Sequence, residues 1–134
     1  MAPASCAEAP SAEAIAGIAE ATRAAFPAPF DGLAREVRIA VLDWPPDDVL
    51  DEMGADSAYD LTGLYEGAAL TERSTEWPEP PSVISLYRRP ILDEWAERGD
   101  VTLTELVAHV TVHEFAHHFG WSDDDIASID RWWE

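Results

Sequence analysis

At 134 residues, 47% of them hydrophobic, the chain is long enough to bury one compact core and short for two ordinary domains. It carries 27 acidic residues against 8 basic ones, all arginine, for a formal net charge of -19. A surface of that sign repels phosphate backbones and anionic headgroups, which argues against nucleic acid and membranes as partners.

Cys6 is the only cysteine and can form no internal disulfide, and residues 1–30 hold neither a basic n-region nor an apolar run of signal-peptide length. Both features predict a cytoplasmic protein. Residues 1–10 have the small-residue and proline bias of a flexible terminus, leaving residues 11–134 as a single domain. Ser11 opens an alanine-rich segment in which Ile15, Ile18, Ala19, Thr22 and Phe26 recur at helical spacing, predicting an amphipathic first helix that ends before "PAPF". In "EVRIAVLDW", residues 36–44, Val37, Ile39 and Val41 alternate with Arg38 and Ala40; a period of two predicts a strand, stopped by Pro45 and Pro46. "PDDVLDEMG" reads as a short helix with acids in its first turn and Gly54 past its end.

"LTGLYEG" is a candidate short strand and "SVISLYRRP", residues 82–90, a clearer one, separated by a proline-rich loop that contains Trp77. The clearer strand is expected at the sheet edge, with Arg88 and Arg89 as the charges that flank it. "PILDEWAERGD" then places Pro90 at a first helical position and Gly99 after the last turn. The longest periodic segment covers residues 102–119, with Leu103, Leu106, Val107, Val110, Phe115 and Phe119 on its apolar side and Gly120 as its stop. Ser122 followed by Asp125 resembles a capping box for a last helix through Ile126 and Ile129, where Trp121, Trp132 and Trp133 serve packing. This order predicts an α+β fold in which a small twisted mixed β-sheet packs against the long helix.

That helix contains "HEFAH", the pattern H-E-x-x-H. His113 and His117 stand one turn apart on one face, so both imidazoles can reach a single tetrahedral ion at about 2.0–2.1 Å. Glu114 is rotated about 100° from that face, which lets its carboxylate approach a water at the metal as a general base. Gly120 allows the chain to leave the helix with positive φ, and Asp123 follows at the place where the extended motif puts its third ligand. His118 is turned off the ligand face and reads as structural; His109, one turn before His113, is placed to face the same groove and orient a substrate or a metal ligand, with a simple bond to a carboxylate as the preferred account. This chemistry is zinc-dependent (Zn2+) peptide-bond hydrolysis.

The stretch "HEFAHHFGWSDDDI" resembles the metzincin-type zinc peptidase motif with aspartate in place of the third histidine. With "LTGLYEGAAL", "ISLYRRPI" and the small size, the chain is similar to the minimal zincin-like, or minimal matrix-metalloprotease-like, domain family of bacterial proteins. The resemblance covers residues 37–129. It implies a zincin-like fold with one edge strand over a cleft, His113, His117 and Asp123 as zinc ligands, Glu114 as the catalytic base, and a peptide or protein substrate lying along an edge strand. Metzincins also carry a methionine turn downstream of the site, whereas Met1 and Met53 both lie upstream here. The alternative function is therefore a zinc-stabilised protein-binding or regulatory module. Substrate, oligomeric state and pathway are not legible in the sequence.

Overall fold

The computed structural model describes residues 9–67 and 81–121. Helix α1 (Ala12–Ala24) starts as the sequence predicts, with the Ser11 hydroxyl accepting from the Ala14 N–H at 3.1 Å. That bond satisfies one of the donors that a first helical turn leaves without a carbonyl. Ile15, Ala19 and Thr22 form the buried stripe of α1, and Thr22 turns its hydroxyl back onto the Ile18 carbonyl at 2.8 Å, so no polar group is stranded there. A five-residue helix, α2 (Phe30–Ala34), follows. It is too short to show a helical period in the sequence. The Arg23 guanidinium donates to the carbonyls of Ala34 and Val37, tying α1 to the chain that leaves α2 and enters the sheet.

Three strands make the sheet: β1 (Arg38–Leu42), β2 (Gly63–Glu66) and β3 (Val83–Tyr87), in spatial order β1-β3-β2. Between β1 and β2 the chain forms α3 (Asp47–Met53), closed by Gly54 in the left-handed region, and a 3-10 turn at Ala58–Asp60. β1 runs parallel to β3, with Arg38 opposite Val83 and Leu42 opposite Tyr87, while β2 runs antiparallel to β3. The expected edge position of residues 82–90 is thus corrected: β3 is paired on both sides. Alternation along a strand reports its faces and says nothing about its neighbours. In β3, Ile84, Ser85, Leu86 and Tyr87 are all buried, as a central strand requires.

Helix α4 (Arg88–Arg98) begins directly after β3, two residues earlier than Pro90 suggests. Proline is tolerated in the third position because the N–H groups of a first turn have no intrahelical acceptor to lose. Arg88 ties two loops together: its Nε donates to the Pro10 carbonyl at 2.7 Å and its guanidinium meets Asp43 at 3.4 Å. Gly99 ends α4 in the left-handed region.

Helix α5 (Leu103–Phe119) is framed by a capping box between Thr102 and Glu105 and by Gly120 at φ 80°. Leu106, Val107, Val110, Val112, Phe115 and Phe119 are buried around much of its circumference, because α1, β2, β3 and α4 all pack against it. Phe115 is fully buried and meets Phe26 edge to face at 5.1 Å. The described residues form an α+β structure of five helices and one small mixed sheet, with α5 as the central pillar. Among them no helix is long and apolar enough to cross a membrane. The predicted helix after Ser122, with Trp132 and Trp133, lies outside the described residues, as do Cys6 and Trp77.

Candidate metal centre

His113 and His117 occupy successive turns of α5, with ring centroids 5.2 Å apart and planes at 76°. The ligand-type atoms of His113, Glu114 and His117 all lie within 4.8 Å of one another. His113 is half-buried and His117 exposed, so the pair opens to solvent on one side. Two imidazole nitrogens converging from one helix face suit a tetrahedral zinc ion, and the donor set fits that metal. The chain leaves the helix immediately afterwards, the Gly120 N–H closing on the His117 carbonyl at 3.1 Å. Asp123, the expected third ligand, lies outside the described residues.

Glu114 has a different environment, set by β2. The Tyr87 N–H donates to the Thr62 carbonyl at 2.9 Å, which makes residues 62, 64 and 66 the ones bonded to β3 in this antiparallel register. Gly63 and Tyr65 consequently direct their N–H and C=O groups away from β3, towards the edge that no other described strand pairs. On that edge the Tyr65 N–H donates to the Glu114 carboxylate. Strand and helix can approach so closely because residue 63 is glycine: a Cβ there would stand 2.9 Å from Val110 Cγ1 and 3.3 Å from Glu114 Cγ. Glu114 is only 9% exposed. Burial pushes its carboxyl up from 4.5 to about 7, while the Tyr65 N–H pulls it part of the way back.

A groove of ≈ 360 Å³ opens between the start of β2, α4 and α5, and Asp60, Gly63, Arg98, His109, His113 and Glu114 line it. A larger one, ≈ 490 Å³, separates α1 from α5, but Ala14, Gly17, Ile18, Ala21 and Ala108 offer it no titratable group. Chemistry places the site in the smaller groove. His109 faces it, as the helical spacing predicts. His118, read as structural, is fully buried one turn after Glu114 on α5, with Nδ1 2.8 Å from the Tyr65 hydroxyl and Nε2 3.3 Å from the Leu33 carbonyl and 3.2 Å from Glu36. The residue that the sequence reading misses is Tyr65. Nothing local marks it, because its partners Glu114 and His118 lie about fifty residues further along the chain.

A raised carboxyl makes stability depend on pH. The folded metal-free protein holds the Glu114 proton up to about pH 7 and the unfolded chain releases it near 4.5, so stability is lost as pH rises through that window. The loss amounts to about 3 kcal/mol. Metal-free Glu114→Gln should therefore gain on wild type as pH rises, with the smallest difference at pH 4 and the largest at pH 8 in denaturant unfolding. An equal difference between the two proteins at both pH values would refute the shift.

A histidine pair one helical turn apart, with a buried glutamate between them beside an open groove, is the arrangement of a metal-dependent hydrolase centre. The Zincin-like metallopeptidase family model matches residues 34–133, and the chain belongs to that family. Among the curated proteins none matches the chain. Family membership together with the His/Glu/His group supports a zinc metallopeptidase.

Proposed function

We propose that the protein is a zinc-dependent peptidase of metzincin type, with His113, His117 and Asp123 as metal ligands and Glu114 as general base. A zinc ion held by His113 and His117 would supply Lewis acidity, to polarise a scissile carbonyl and to lower the pKa of a water towards about 7. Glu114, beside the histidine pair, would take the proton from the attacking water and return it to the leaving amine. The Tyr65 N–H fixes the direction in which that carboxylate points. An extended peptide would find main-chain partners along the outer edge of β2, at the Gly63 N–H and C=O, rather than on β3, with its side chains towards the groove beside His109 and Arg98.

The observation that carries this reading is Glu114: a buried carboxylate held between the histidine pair and an open strand edge. A closed structural zinc site has no use for such a group. The test is a broad peptide library incubated with the zinc-loaded protein. Cleavage with newly formed termini is expected; zinc bound without cleavage of any peptide would favour the protein-binding or regulatory module.

The ligand set has its own test. His109 lies two turns from His117, about 12 Å along the axis and too far to share one ion, whereas the chain reversal at Gly120 lets Asp123 return to it. Asp123→Ala should weaken zinc at least about tenfold, the low end for even indirect losses, and His109→Ala should not. Titration against a competing chelator decides; a larger loss in His109→Ala would refute the assignment.

A further inference from the structure

The Tyr65 hydroxyl, half-buried on the α5 side of β2, stands 2.8 Å from His118 Nδ1 and 3.1 Å from the Ser82 hydroxyl. His118 is itself fully buried and anchored on the far side by the Leu33 carbonyl and Glu36. One side chain thus links β2 to α5, to the entry of β3 and, through His118, to α2. The backbone of the same residue carries the N–H that meets Glu114, on the side of β2 that the register turns away from β3. Gly63, two residues earlier, lets β2 rest directly on Val110 and Glu114, so a small displacement of the strand changes the Glu114 contact.

We infer that Tyr65 is a positioning residue for Glu114: its hydroxyl, clamped by His118 and Ser82, holds β2 at the depth where the Tyr65 N–H bonds the carboxylate. The inference rests on the reading of Glu114 as base for its kinetic consequence, and on the geometry alone for its structural one. Among the described residues this four-residue strand is paired with β3 alone, and a half-buried hydroxyl held by buried side chains is a sizeable part of what locates it. The clamp is built from α5 itself. His118 and Glu114 therefore hold Tyr65 from the same helix, one by its side chain and one by its backbone.

The experiment compares wild type with Tyr65→Phe, which keeps the ring, and with Ser82→Ala, which removes one of the hydroxyl's partners. In the metal-free proteins, amide hydrogen exchange followed by NMR should accelerate at the Tyr65 N–H by roughly fivefold in Tyr65→Phe, the worth of one hydrogen bond, and less in Ser82→Ala. Amides of α5 should keep their protection. In the zinc-loaded proteins kcat should fall by a similar factor with KM and zinc affinity unchanged, and Tyr65→Phe should have no effect in the Glu114→Gln background. Unchanged exchange at Tyr65 would overturn the inference, and so would equal acceleration along α5, or a further loss of rate in the double variant. Should wild type cleave nothing, the peptidase reading fails while the exchange data still decide the clamp.

Discussion

Glu114→Gln is expected to leave zinc bound and to lower peptide hydrolysis at least about 100-fold, the low end of what a positioned general base contributes. The amide is nearly isosteric with the carboxyl, and its oxygen can still accept from the Tyr65 N–H, so the contact between β2 and α5 survives. What disappears is the ability to take a proton. Zinc should stay, because in this geometry the buried glutamate is engaged with the strand while the more exposed histidine pair would hold the ion. Unfolding cannot account for the loss, since the substitution removes a buried acid and is expected to stabilise the metal-free protein above neutral pH. The measurement is zinc content by elemental analysis alongside the cleavage rate of a library peptide. Equal rates in the two proteins would mean a contaminating peptidase or a mechanism without Glu114.

The second large effect is at His117. Its side chain is exposed, so His117→Ala should cost little packing and leave the fold intact, while one of two imidazole donors is lost. Zinc affinity should drop about 100-fold or more, since losses of residues that merely orient a ligand already cost 10–100-fold. Wild type should hold one zinc per chain after mild dialysis and the variant almost none, with unchanged far-ultraviolet circular dichroism. Equal zinc in the two would place the metal elsewhere.

The parts of this structure that were legible in the sequence are those determined within a few residues. Ser11, Gly54, Gly99 and Gly120 mark helix ends by cap chemistry, and the structure puts each at the end expected of it. His113, Glu114 and His117 could be assigned their faces because a strongly periodic segment fixes angles about the helix axis. The strand at "SVISLYRRP" was recognised but its place in the sheet was not, since order and direction depend on residues 38–42 and 63–66 reaching it from elsewhere. The Arg88 start of α4 was hidden by Pro90, a residue compatible with several first-turn positions. Tyr65 was invisible as a site residue for the same non-local reason: its role exists only once β2 is laid against α5.

That division reaches into how the protein loses function. The two histidines of the candidate metal centre lie four residues apart on one helix, whereas the glutamate owes its backbone hydrogen bond, and part of its burial, to a strand brought in from the middle of the chain. A partly denatured chain that regains the turn at residues 113–117 can still capture zinc, because ions also bind unfolded histidines. It cannot rebuild the proton acceptor. Under mild denaturant or heat, catalytic competence should therefore fail before metal retention does, and metal content is a poor assay of nativeness for this protein.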